Sequence, residues 1–211
     1  MIYDSYPWKK DLLRRKQLIL KYNTQEHFEK DEKAAYTVLE KAVFYSAFII
    51  RKLIDCEMLS DEADIYSLKV KIYKPKQQVY RYIIADEESH NLDHFQKKTV
   101  KGKDVCNWLI HSYIFNFVWN ENTQISEGFF VASDFDRNKL LYYVGINDWI
   151  DYMDFIVTDS VVATSSYYDG KEKDFVSVVK CRGSMPSFVI DKQLEEAGEK
   201  CKRLYFQNKE K

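Results

Sequence analysis

The chain has 211 residues, 32 Lys and Arg against 33 Asp and Glu, and a formal net charge of −1. With 45% hydrophobic and 31% charged residues it can fill a core and keep a solvated surface, which suits one domain. That charge balance excludes a global field recruiting nucleic acid or an anionic membrane, so such binding must come from a local patch; six Gly and three Pro argue against glycine-rich nucleotide loops and long flexible linkers.

Ser5 followed by Pro7 reads as a helix start, because Pro is tolerated in the first turn. Trp8, Leu12, Leu13, Ile19 and Leu20 then recur at helical spacing as far as about Asn23, which can end the helix in a left-handed conformation. Its other positions are basic, so this face is either a solvated surface or, through Lys10, Arg14 and Arg15, a phosphate-contacting one. A longer helix from about Gln25 to Met58 carries a broad apolar face from Ala35 to Ile54. The two helices, joined by a short connection, should pack antiparallel.

Period two begins at Ile65: Tyr66, Leu68, Val70 and Ile72 alternate with Ser67, Lys69 and Lys71, which predicts a half-buried strand. KPKQQ reads as its turn, VYRYIIA (79–85) as its partner strand and DEESHNLDHF (86–95) as a polar loop or short helical turn. DVCNWLIHSYIF then predicts a helix from about Asp104 to Phe115. Beyond it come a hairpin over 127–146, a short helix DWIDYMDFIV, a second hairpin over 160–183 turning at Asp169-Gly170, and a polar helix from Asp191 to about Phe206. The fold class expected is α+β in one domain over 1–211. Its helical part is about 5–60 and 103–118, its β-rich part about 65–85 and 125–183, and its C-terminal helix about 191–206.

The chemistry narrows to a few groups. Asn107 and His111 lie one turn apart, so both face the same side of a helix. Two accounts stay open: a satisfied structural core pair, or a cleft in which His111 is a general acid or base and Asn107 orients it or a substrate. Arg51 can supply a cation from the long helix, or simply pair with Asp55 one turn on. Cys106 and His111, five apart, point to different sides, which argues against a thiolate–imidazole pair. His90 and His94 have metal-ligand spacing without a third ligand, and Asp134-Phe-Asp136-Arg-Asn138 lacks the glycine and glutamate of a calcium loop, so no metal is expected. Asp148, Asp151 and Asp154 form an acidic stripe that is either exposed or faces a basic partner. No P-loop, dinucleotide or nucleophile-elbow motif is present, and no cofactor is expected.

N-x-x-x-H after two long antiparallel helices resembles the HEPN superfamily of small helical ribonucleases and nucleotide-binding proteins, whose hallmark is R-[polar]-x-x-x-H. Asn107 matches the polar position and His111 the histidine, while Cys106 stands where the arginine belongs. The resemblance extends over residues 8 to 118 and leaves the later β-rich region without a counterpart. It implies metal-independent RNA cleavage, a homodimer, and a setting in prokaryotic defence or toxin–antitoxin systems. The alternative is a non-catalytic protein-interaction module with Asn107 and His111 as a core pair. No apolar h-region opens the chain and the run AVFYSAFII (42–50) is too short to span a bilayer, so the expectation is a cytoplasmic protein with reduced thiols, no membrane association, and RNA, a protein or a second copy as partner. The terminal RLYFQNKEK is read as native sequence.

Overall fold

The computed structural model describes residues 3–80, 84–170 and 173–209. Helices α1 (Ser5–Tyr22) and α2 (Gln25–Asp55) form the expected antiparallel pair. Asp4 caps α1, its carboxylate accepting the Tyr6 N–H at 2.8 Å. Asn23 ends α1 with φ −83°, not in the left-handed conformation expected from sequence. Its side chain is instead used across the fold, exchanging hydrogen bonds with the main chain of Ser126 at 2.7 and 2.9 Å. α2 breaks once, at extended Asp31, whose carboxylate accepts the Ala34 N–H at 2.9 Å and so caps the longer second segment.

A short helix α3 (Asp61–Ile65) leads into strand β1 (Ser67–Tyr73). Then follow β2 (Gln96–Lys101), α4 (Gly102–Ile110), β3 (Ser112–Trp119), β4 (Ser126–Ser133), β5 (Leu141–Gly145) and α5 (Ile146–Thr158). The five strands make one antiparallel sheet in the order β2-β1-β5-β4-β3. Its inner face, with Leu68, Val70, Val144, Phe129, Val131 and Phe117, packs on the helices around fully buried Leu53, Leu109 and Trp149. Trp149 is satisfied by Ser46, its indole N–H lying 3.1 Å from the hydroxyl. Gly102, where β2 meets α4, sits so close to the Tyr152 ring that a Cβ would lie 2.2 Å from it.

The sequence reading of 79–85 as the partner of β1 is not what the fold uses. β1 pairs with β2 and β5, and residues 81–83 lie outside the described residues. The Val79 and Ala85 N–H groups donate to the side-chain carbonyls of Asn138 and Asn116, at 2.8 and 3.1 Å. Two asparagines thus do for this segment what a neighbouring strand would do. Val79 and Ala85, with Leu92, cover half of the outer sheet face over Tyr73, Phe130, Ala132, Leu141 and Ile114.

The helix expected to reach Phe115, within a helical part drawn to 118, stops at Ile110. His111 is its C-cap, and Ser112–Trp119 is a strand paired with β4. Aromatic and β-branched residues alternate across the sheet there, with Phe115 and Phe117 on the inner face and Ile114 on the outer. A dense apolar run does not distinguish a buried helix from a strand buried on both faces.

A second, two-stranded sheet of β6 (Val161–Asp169) and β7 (Asp174–Arg182) carries helix α6 (Ser187–Lys209) on one face. It is anchored through Lys180 and Arg182, which face Asp64 and Glu62 of α3 at 3.3 and 3.8 Å. The fold is α+β, with the long helices first and the hairpins mainly in the C-terminal half. Among the described residues no helix is long and apolar enough to cross a membrane, and no disulfide joins the four cysteines.

His90 lies fully buried in the loop before β2. Its Nδ1 is 2.8 Å from the Ser89 hydroxyl, and its Nε2 has no hydrogen-bond partner among the described residues. Burial holds the imidazole below its usual value, against the opposing pull of Asp86. The folded chain therefore binds fewer protons than the unfolded chain as pH falls from about 6.5 toward the depressed folded value. Thermal melts should show stability present above that window and lost through it. His90→Asn should flatten that part of the curve; an unchanged curve would mean that His90 does not contribute.

Candidate functional site

α4 lies against α2, and this packing joins two of the residues singled out from sequence. The Arg51 Nε–H donates to the Asn107 side-chain oxygen Oδ1 at 2.8 Å, and its Nη1 pairs with Asp55 one turn further on. Arg51 therefore makes the ion pair with Asp55 and, in addition, reaches Asn107. The Arg51 side chain is 24% exposed, so it is fixed in direction yet not sealed from solvent.

His111 follows Asn107 by one turn and is exposed. Its main chain is fixed on both sides, the N–H donating to the Asn107 carbonyl at 3.0 Å and the carbonyl accepting from the Asp134 N–H at 3.1 Å. The idea of Asn107 and His111 as a satisfied core pair is thus corrected: Asn107 is satisfied by Arg51, and His111 is not in the core. The helix ends at Ile110 with His111 as its C-cap, and the strand begins at Ser112. Cys106 is completely buried, and burial pushes its thiol up despite the Arg51 charge, so it stays neutral and unreactive.

The basic residues of α1 divide. Lys10 and Arg14 are exposed. Arg15 is half-buried, paired with Asp11 at 3.1 Å and lying over the Tyr45 ring at 5.2 Å. Among the described residues no hydrogen bond or ion pair joins the three to Arg51, Asn107 or His111. The acidic stripe is partly answered inside the chain, since Asp154 receives Lys16 at 2.6 and 2.7 Å. His90 and His94 do not meet a metal-ligand set: one is buried, the other exposed, and among the described residues no three His, Cys, Asp or Glu are placed to hold an ion.

The sequence reading missed a group of lysines on the sheet. KVKIYK was read as a strand with an ordinary polar face, and KKTVK (97–101) was assigned to nothing. In the fold the two are neighbours, so their lysines add up on one surface. The readable signal was a second short stretch of alternating Lys and Thr after a loop. Compared with protein-family models, with curated proteins and with solved structures, the chain matches none.

Proposed function

We propose that the protein acts on RNA and cleaves it without a metal, through Arg51, Asn107 and His111. The observation that supports this reading is the contact by which α2 brings Arg51 to Asn107, one turn before exposed His111. Cys106 stands where the HEPN motif has its arginine, and Arg51 supplies a cation to the same helix from a neighbouring one. In such cleavage the ribose 2′-oxygen attacks the adjacent phosphorus and the bond to the 5′-oxygen breaks. His111 accepts the 2′-hydroxyl proton, the leaving 5′-oxygen takes up a proton, and the charge that builds on the phosphoryl oxygens is met by Arg51. Asn107 positions the guanidinium through its side-chain oxygen. The resemblance further implies a homodimer in prokaryotic defence or toxin–antitoxin systems.

Purified protein incubated with total RNA and a chelator tests the reading. Cleavage should persist with chelator, fall at least about a hundredfold in His111→Ala, and fall in Arg51→Lys, which keeps the charge but not the planar fork that meets Asn107. Cleavage that needs a metal, or that His111→Ala leaves unchanged, contradicts it. A second reading, a non-catalytic protein-interaction module, is favoured by an apolar groove of about 420 Å³ between α1 and α2, where Tyr45 and Phe48 are half exposed beside Trp8. Absence of any cleavage would favour it.

A further inference from the structure

One half of the outer sheet face is covered by the segment that carries Val79, Ala85 and Leu92; the other half is open and basic. Lys71 of β1 stands directly opposite Lys97 of β2 on one side and Tyr143 of β5 on the other. Directly opposed residues in antiparallel strands share a face, so these three side chains form one row. Lys69 and Thr99 make the next row, about 7 Å along the strands. These residues line an open cavity of about 460 Å³. The Lys71 ammonium lies between two rings, 4.9 Å from the centre of Phe95 and 5.0 Å from that of Tyr143, and Phe95 is 44% exposed.

This arrangement works against the fold. Like charges directly opposite on neighbouring strands, as Lys71 and Lys97 are, destabilise a sheet, and among the described residues none of Lys69, Lys71 and Lys97 makes an ion pair. Asp148, at the cavity rim, is the acidic group nearby, and its carboxyl is only partly balanced by Lys69. In a chain of net charge −1, unpaired lysines concentrated on one half-face are the local patch that anion binding requires. Rows of cations beside an exposed ring fit a polyanion whose bases are free to stack, which describes a single strand better than a duplex.

We propose that the open half of the outer sheet face, with Lys69, Lys71 and Lys97 beside Phe95 and Tyr143, is a binding surface for single-stranded RNA. The choice of RNA rests on the function proposed above; the surface itself is tested without any cleavage. Phosphates lie along the lysine rows, and a base stacks on Phe95.

The test is fluorescence anisotropy of a 5′-fluorescein 2′-O-methyl oligouridine 12-mer, which lacks the 2′-hydroxyl nucleophile and so stays intact, with the full chain at low salt. The wild type should bind, with affinity falling steeply as salt rises. Lys71→Glu with Lys97→Glu should weaken binding at least tenfold, and Lys71→Gln with Lys97→Gln should weaken it less and reduce the salt dependence. Phe95→Ala should weaken binding by about five- to a hundredfold. Lys30→Glu with Lys33→Glu, exposed on α2, should bind as the wild type does. Thermal melts of each variant separate lost binding from lost folding, and the glutamine pair keeps the test open if the glutamate pair unfolds. Folded lysine variants that bind the 12-mer like the wild type overturn the proposal. So does wild-type protein that binds only oligothymidine, duplex RNA, anionic vesicles or polyglutamate. Binding that behaves as expected while cleavage fails removes the catalytic reading and leaves the surface standing.

Discussion

Asp159→Ala is expected to destabilise the protein by about 3–5 kcal/mol, the cost of removing one partner from a buried ion pair. Asp159 has a fully buried carboxylate just after α5. One oxygen accepts the Ser60 N–H at 2.8 Å and the other the Ser60 hydroxyl at 2.6 Å, while the Arg182 Nε lies 3.3 Å away. The Asp159 main-chain carbonyl accepts from the buried Lys9 ammonium, which burial holds below its usual value. One residue therefore ties together α1, the start of α3, the end of α5 and β7. Alanine leaves the Ser60 N–H and hydroxyl without their acceptor and takes the buried carboxylate from Arg182, whose side chain is only 13% exposed and keeps Glu62 at 3.8 Å. For a chain of this length the loss corresponds to about 6–20 °C in melting temperature. Asp159→Asn keeps an acceptor for Ser60 and should lose less. A calorimetric scan of the three proteins checks the order; an alanine variant that melts like the wild type would mean the network is dispensable.

Trp149→Ala should cost a similar amount, about 3–5 kcal/mol, for a different reason. Trp149 is fully buried between the sheet and α2, edge-on to Phe129 at 6.1 Å and to Tyr152 at 5.7 Å. Alanine opens a cavity there and also leaves the buried Ser46 hydroxyl without the indole N–H. Trp149→Phe fills most of the space and loses only the hydrogen bond, so it should retain more than half of what alanine loses. Urea unfolding of both variants separates the two contributions, and equal losses would contradict the packing origin of the effect.

The elements legible in the sequence were those with a strong period or a strong turn. The apolar stripe of α2 and the alternation of β1 each carry their own signal, and the second hairpin is present, though Asp169, read as a turn residue, ends β6 opposite Asp174. β2 did not, because QKKTVK is an edge strand with only Val100 buried, so no apolar alternation marks it. β3 was hidden for the opposite reason: apolar on both faces, it continues the apolar density of α4. At the candidate site, the Arg51–Asp55 pair could be read from i, i+4 spacing. The Arg51–Asn107 bond could not, since it depends on how α4 docks on α2, and the same holds for Asp159 and Ser60, which are 99 residues apart. His111 is the single residue at which helix gives way to strand.

The most direct measurement is of the ends left on the RNA. A labelled single-stranded substrate is incubated with the wild-type protein and chelator, and the product termini are identified by mass spectrometry. Attack by the 2′-oxygen with His111 as proton acceptor leaves a 2′,3′-cyclic phosphate on one fragment and a 5′-hydroxyl on the other, and these are the expected ends. Intact RNA, or fragments carrying a 3′-hydroxyl and a 5′-phosphate, would contradict the assignment of Arg51, Asn107 and His111 to metal-independent cleavage.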